Sequence, residues 1–136
     1  MAVIDNSILA ENDTLSFGNY TVNEKQKIKD FKLNGDTYNM KTHKEVTKLE
    51  KNGKLLIETV PGSAIHNLKV TEKETVFSIE GFEDTQITLE LESGENYKIL
   101  VDDVVIGMVK TNMSGKINFS IGLTNSPQNI KIEKNN

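Results

Sequence analysis

Along most of the chain apolar and polar residues alternate one for one, in short runs that end at turn-forming pairs. In ITLELESG, Ile87, Leu89 and Leu91 fall on one face and Thr88, Glu90 and Glu92 on the other. A repeat of two residues requires this, whereas a helical repeat would scramble it. KINFSI sets Ile117, Phe119 and Ile121 against Lys116, Asn118 and Ser120, and NIKIEK repeats the pattern with Ile130 and Ile132. These segments predict half-buried strands.

The punctuation between the runs is that of hairpins. Asn34-Gly35 and Asn52-Gly53 are the strongest two-residue hairpin signals, and Pro61-Gly62 suits a type II turn with glycine at the position needing positive φ. Asp102-Asp103 joins the β-branched runs Tyr97–Val101 and Val104–Lys110, and Ser114-Gly115 offers a further reversal. The segment Tyr97–Ile121 therefore predicts a three-stranded meander, with the paired aspartates read as turn residues in preference to a cation site. Thr42–Lys51 is ambiguous: Thr42 and Glu45 could form a capping box, and Val46 and Leu49 are spaced as on a helix. Threonine and valine favour a strand, and Asn52-Gly53 leads directly into the apolar run LLIETV, so a strand is expected.

Roughly ten short strands in one chain must bury their apolar faces against each other. The expected fold is all-β, an antiparallel two-sheet β-sandwich of Ig-like or jelly-roll type. With 136 residues there is room for one such core and not comfortably for two, so a single domain over 1–136 is expected, with polar tails at 1–12 and 134–136.

Charge narrows the partners. The net charge is −4, and every basic side chain other than histidine is a lysine. Nucleic-acid binding needs a concentrated basic face, and arginine forks are the usual anchors for phosphate and guanine, so no nucleic-acid partner is expected. Cysteine is absent, which removes disulfides, thiolate chemistry and cysteine-ligated metals. The first eighteen residues lack a basic n-region and an apolar core, and no window approaches the ~20 apolar residues of a membrane span. No membrane partner is expected, and a cytoplasmic location is the default, secreted if a leader has been removed.

Catalytic patterns are missing as well. There is no HxH or HExxH, no GxSxG elbow and no glycine-rich phosphate loop, and the acidic residues are too evenly spread to nominate a general acid–base pair. An enzyme is not expected. One composite metal site is conceivable, with His43 and His66 joined by Glu45 and Glu58 if their strands pair. In EGFEDTQ, Glu80, Glu83 and Asp84 cluster around Gly81 and a solvent-leaning Phe82. Such a loop would suit Ca2+ or a protein partner, although Phe82 could simply plug the end of the sandwich. No other cofactor is expected. For a glycan, the rings able to stack and hydrogen-bond are Tyr20, Tyr38 and Tyr97, with Phe82 next.

The run YKILVDDVVIGMVKTNMSGKINFSI resembles the terminal strands of Ig-like accessory modules found beside catalytic domains in bacterial polysaccharide-degrading proteins. The resemblance covers Tyr97 to about Ile132 and departs from those modules in having Asp102-Asp103 where Asp-Gly would be expected. It implies a non-catalytic module that supports or recruits an enzyme, and it transfers no binding residue. Three functions stay open: a binding or accessory module for a glycan or protein partner, a structural protein self-associating as a homo-oligomer through sheet edges, and a small cupin-like metal protein or enzyme.

Overall fold

The computed structural model describes residues 8–11, 13–124 and 126–135. All regular structure among them is strand, in two antiparallel sheets. The chain forms β1 (Ile8–Glu11), β2 (Thr14–Phe17), β3 (Gln26–Leu33), β4 (Asp36–His43), β5 (Val46–Lys51), β6 (Lys54–Val60) and β7 (Ala64–Val70). It continues through β8 (Glu74–Glu80), β9 (Thr85–Glu90), β10 (Asn96–Val101), β11 (Val104–Lys110), β12 (Lys116–Ile121) and β13 (Gln128–Lys134). The larger sheet has the order β1-β2-β7-β8-β13-β10-β11 and the smaller β12-β9-β6-β5-β4-β3. Ile8–Glu11 and Lys134 are thus strand and not tail, while residues 1–7, 12 and 136 lie outside the described residues.

Register explains why period-two sequences build this core. Across the smaller sheet one row runs Ile28–Met40–Leu49–Ile57–Leu89–Ile117, and every member is buried or packed against the core. The next row is Lys27–Lys41–Lys48–Glu58–Thr88–Asn118, wholly polar and turned to solvent. A slip of one residue in any strand would exchange the two rows, so burial of one face fixes the pairing. The larger sheet meets it with Phe17, Ile65, Ile79, Phe77, Ile99, Ile130 and Ile132, all buried.

One row of the inner face is hydroxylated. Thr42, Thr47 and Thr59 lie side by side across β4, β5 and β6, and all are fully buried. Their hydroxyls are satisfied within the protein: Thr42 Oγ1 lies 2.8 Å from Thr47 Oγ1, and Thr59 Oγ1 lies 2.8 Å from Ser63 Oγ. Thr47 Oγ1 donates to the Ser63 carbonyl at 2.9 Å and accepts from the Ser63 N–H at 3.0 Å. The threonines thereby hold the loop that carries the chain from the smaller sheet to the larger.

The turns follow the dipeptides with two exceptions. Asn34-Gly35, Asn52-Gly53 and Asp102-Asp103 all have positive φ at both positions, the geometry that suits tight hairpins, and Asp102 Oδ1 further accepts from the Asn129 N–H at 2.8 Å. Thr42–Lys51 is extended, broken only by a turn at Lys44 and Glu45. Pro61-Gly62 is the first exception: the Val60–Pro61 peptide is cis, and Gly62 is not among the positive-φ glycines. Glycine is needed there because a Cβ would lie 2.0 Å from the His43 carbonyl oxygen.

The second exception is the meander. Gly115 does take positive φ, but β12 does not return beside β11. It crosses to the smaller sheet and pairs along its length with β9, while β13 takes the place next to β10. The alternation of Ile117, Phe119 and Ile121 asks only for one buried face and does not name the sheet, so local pattern could not separate the two arrangements. The crossing leaves β11 at the end of the larger sheet, with one edge unpaired among the described residues.

Candidate functional site

Of the four rings that could face a sugar, three are inside. Tyr38 and Tyr97 belong to the main core, and the Tyr97 hydroxyl accepts from the Glu92 N–H at 3.2 Å. Tyr20 is also buried but lies outside the main core. Only Phe82 is open, at 70% exposure, and its ring meets Tyr20 edge to face at 4.7 Å. The described residues therefore present no aromatic platform built from the three tyrosines.

Tyr20 covers instead a carboxylate. Glu80, the last residue of β8, is 0% exposed. Its Oε2 accepts from the Tyr20 hydroxyl at 2.9 Å, and its Oε1 lies 2.7 Å from His66 Nε2. Period two turns Phe77 and Ile79 to the core and sends Glu80 to the opposite face of β8. There the pairing of Ala64 with Glu80 and of His66 with Ser78 makes Glu80 and His66 diagonal neighbours. A buried carboxylate without partners would be severely penalised, and these two contacts are its answer. Burial, the hydrogen bond to Glu80 and the charge of Glu80 together raise the Tyr20 hydroxyl from 10.0 to about 12. Both carboxylate oxygens are engaged and enclosed, which leaves the group no free lone pair facing solvent.

The two metal sets expected from sequence are divided by this arrangement. Glu80 points into the Tyr20–His66 cluster while Glu83 and Asp84 sit exposed on the following loop. His43 ends β4 in the smaller sheet and His66 belongs to β7 in the larger. Among the described residues no group of three or more His, Asp or Glu side chains is placed to hold a metal ion. The Glu80–His66 pair was within reach of sequence reasoning only as two members of two different sets. What joins them is a register between β7 and β8 that carries a bulge between His66 and Lys69, and no dipeptide announces it.

The surface offers a different feature. Of the four sheet edges, β1 is four residues long. β3 carries Lys27, Lys29, Asp30 and Lys32 along with a bulge, and β12 turns Lys116, Asn118 and Ser120 outward. These are the usual guards against edge-to-edge association. β11 reads VVIGMVK and has no charged residue before its last position. Val104, Val105, Ile106 and Met108 are exposed at 63, 50, 49 and 60%. A register shift against β10 makes Ile106 an additional, bulged residue, and this bulge is its one guard.

No helix among the described residues is long and apolar enough to cross a membrane. No protein-family model, characterised protein or solved structure matches the chain.

Proposed function

We propose that this chain is a non-catalytic binding and assembly module whose working element is the β11 edge, and that the strand it accepts is β11 of a second copy. The observation that carries the reading is the apolar edge itself, guarded by a single bulge: backbone groups unpaired among the described residues, flanked by four exposed apolar side chains. An antiparallel pair about a two-fold axis between Ile106 and Gly107 opposes Val104 to Val109 and Val105 to Met108. It also sets Asp103 of one copy beside Lys110 of the other, twice in each dimer. Opposite charges at the ends and apolar residues in the middle are what a self-complementary strand requires. The resemblance of Tyr97–Ile132 to non-catalytic accessory modules supports the same class of function. Burial of Tyr20, Tyr38 and Tyr97 favours protein association over ring stacking on a sugar.

The test is sedimentation velocity on the whole chain at about 100 µM. A dimer with a dissociation constant near 1 µM is then about nine-tenths formed, corresponding to about −8 kcal/mol. The expected result is a dimer that becomes monomeric in Met108→Lys and Val105→Lys with unchanged thermal stability at low concentration. A wild-type protein that sediments as a monomer overturns the proposal, as does a dimer indifferent to both substitutions.

A further inference from the structure

The polar row of the smaller sheet contains a conflict. Lys27, Lys41 and Lys48 occupy directly opposed positions on three successive strands. Neighbouring strands lie about 4.8 Å apart, so the three ammonium stems leave the sheet side by side. Like charges set directly opposite destabilise a sheet, and a fold with no use for this arrangement has every alternative available at solvent-facing positions. Lys48 reaches Glu50 at 3.7 Å, a long and exposed ion pair. The side chains of Lys27, Lys29 and Lys41 make no ion pair or hydrogen bond among the described residues.

These lysines line a groove on the outer face of the smaller sheet. It has a volume of about 430 Å³ and runs over β3, β4 and β5, with Lys27, Lys29, Lys41 and Lys48 set against only Asp30 and Glu50. In a chain of net charge −4 this is a local reversal of sign. The β3 bulge helps to shape it: Asp30 takes positive φ and its N–H is held by Asn39 Oδ1 at 2.9 Å, inside the groove.

We infer that the groove is a binding site for a linear acidic polysaccharide, a chain whose sugars carry carboxylate groups. Three features choose this class among polyanions. The lysines are point charges without the planar fork that grips phosphate, and no aromatic side chain lines the groove, so bases would find nothing to stack on. The same register row continues past the lysines into Glu58, Thr88 and Asn118. Beyond Glu58, Asn118 donates to Thr88 Oγ1 at 2.8 Å and accepts from Gln86 at 2.6 Å, so amide and hydroxyl groups adjoin there and suit sugar hydroxyls. Carboxylates seat over the lysines and relieve their mutual repulsion. The site lies on the sheet opposite β11 and does not depend on association there.

The test is native electrophoresis in gels containing polygalacturonate, with dextran gels as the neutral reference. Retardation is expected in polygalacturonate alone, weakening as salt is raised. Lys41→Glu should reduce the apparent affinity at least fivefold and yet leave the melting temperature unchanged or higher, because it places an acid between two lysines. Lys131→Glu makes the same charge change on β13, in the other sheet, and should keep binding. Absence of retardation overturns the inference, and so does equal loss in Lys41→Glu and Lys131→Glu. An oligothymidylate that competes as well as oligogalacturonate at equal charge overturns the polysaccharide assignment.

Discussion

Replacing Thr47 by valine isolates one job of the buried hydroxyl row. The two side chains have nearly the same shape, so the substitution opens no cavity and changes only hydrogen bonding. In the wild type Thr47 Oγ1 is both donor to the Ser63 carbonyl and acceptor of the Ser63 N–H, at 2.9 and 3.0 Å. Ser63 is fully buried, so water cannot take over either role. Leaving a buried polar group without a partner costs about 1–3 kcal/mol, and two such groups on one residue make about 2–4 kcal/mol after partial relaxation. Thr42 is less affected, since its hydroxyl still accepts from the Asn19 N–H at 2.9 Å and can turn its own proton to the Asn19 carbonyl at 3.5 Å. For a domain of this size the loss corresponds to roughly 6–15 °C in melting temperature. Urea denaturation followed by circular dichroism measures it, with an unchanged slope showing that the denatured state is not involved. Thr88→Val, on the outer face of β9, is the control and should stay within about 0.5 kcal/mol of wild type. If Thr47→Val also fell within that margin, the hydroxyl row would not be what holds the Ser63 loop.

Other substitutions probe the same end of the sandwich. Gly62→Ala puts a methyl group 2.0 Å from the His43 carbonyl oxygen, a backbone atom with no freedom to withdraw, and should cost about 1–3 kcal/mol in chemical denaturation. Tyr20→Phe takes from the enclosed Glu80 carboxylate one of its two partners and should cost about 1.5–3 kcal/mol at neutral pH. The pH dependence has a definite sign. Because the folded protein raises the Tyr20 hydroxyl from 10.0 to about 12, its contribution is complete below pH 10 and disappears as pH rises through about 12. Stability of the wild type measured across pH 10–12 should therefore fall more steeply than that of Tyr20→Phe, and parallel curves would contradict the assignment.

Residue pattern alone was enough to specify the class of structure and much of its local detail. Alternation in ITLELESG, KINFSI and NIKIEK named the buried faces, because only one register hides a period-two apolar set. Asn34-Gly35, Asn52-Gly53 and Asp102-Asp103 became hairpins because asparagine, aspartate and glycine tolerate the positive φ that tight turns demand. Tertiary structure decided what depends on choosing among equivalent partners. β12 could have paired with β11 but lies beside β9, since an amphipathic strand is satisfied by either sheet and only the whole core selects one. The fate of the polar residues followed from that choice. Glu80 groups in sequence with Glu83 and Asp84 around Gly81 but lies enclosed between Tyr20 and His66, because its neighbours come from 60 and 14 residues away. Tyr38 and Tyr97 read equally well as surface rings or core rings until the sheets were stacked. The lysine row and the bare β11 edge have the same origin: Lys27, Lys41 and Lys48 become neighbours only through register, and β11 becomes an edge only because the next strand leaves for the other sheet.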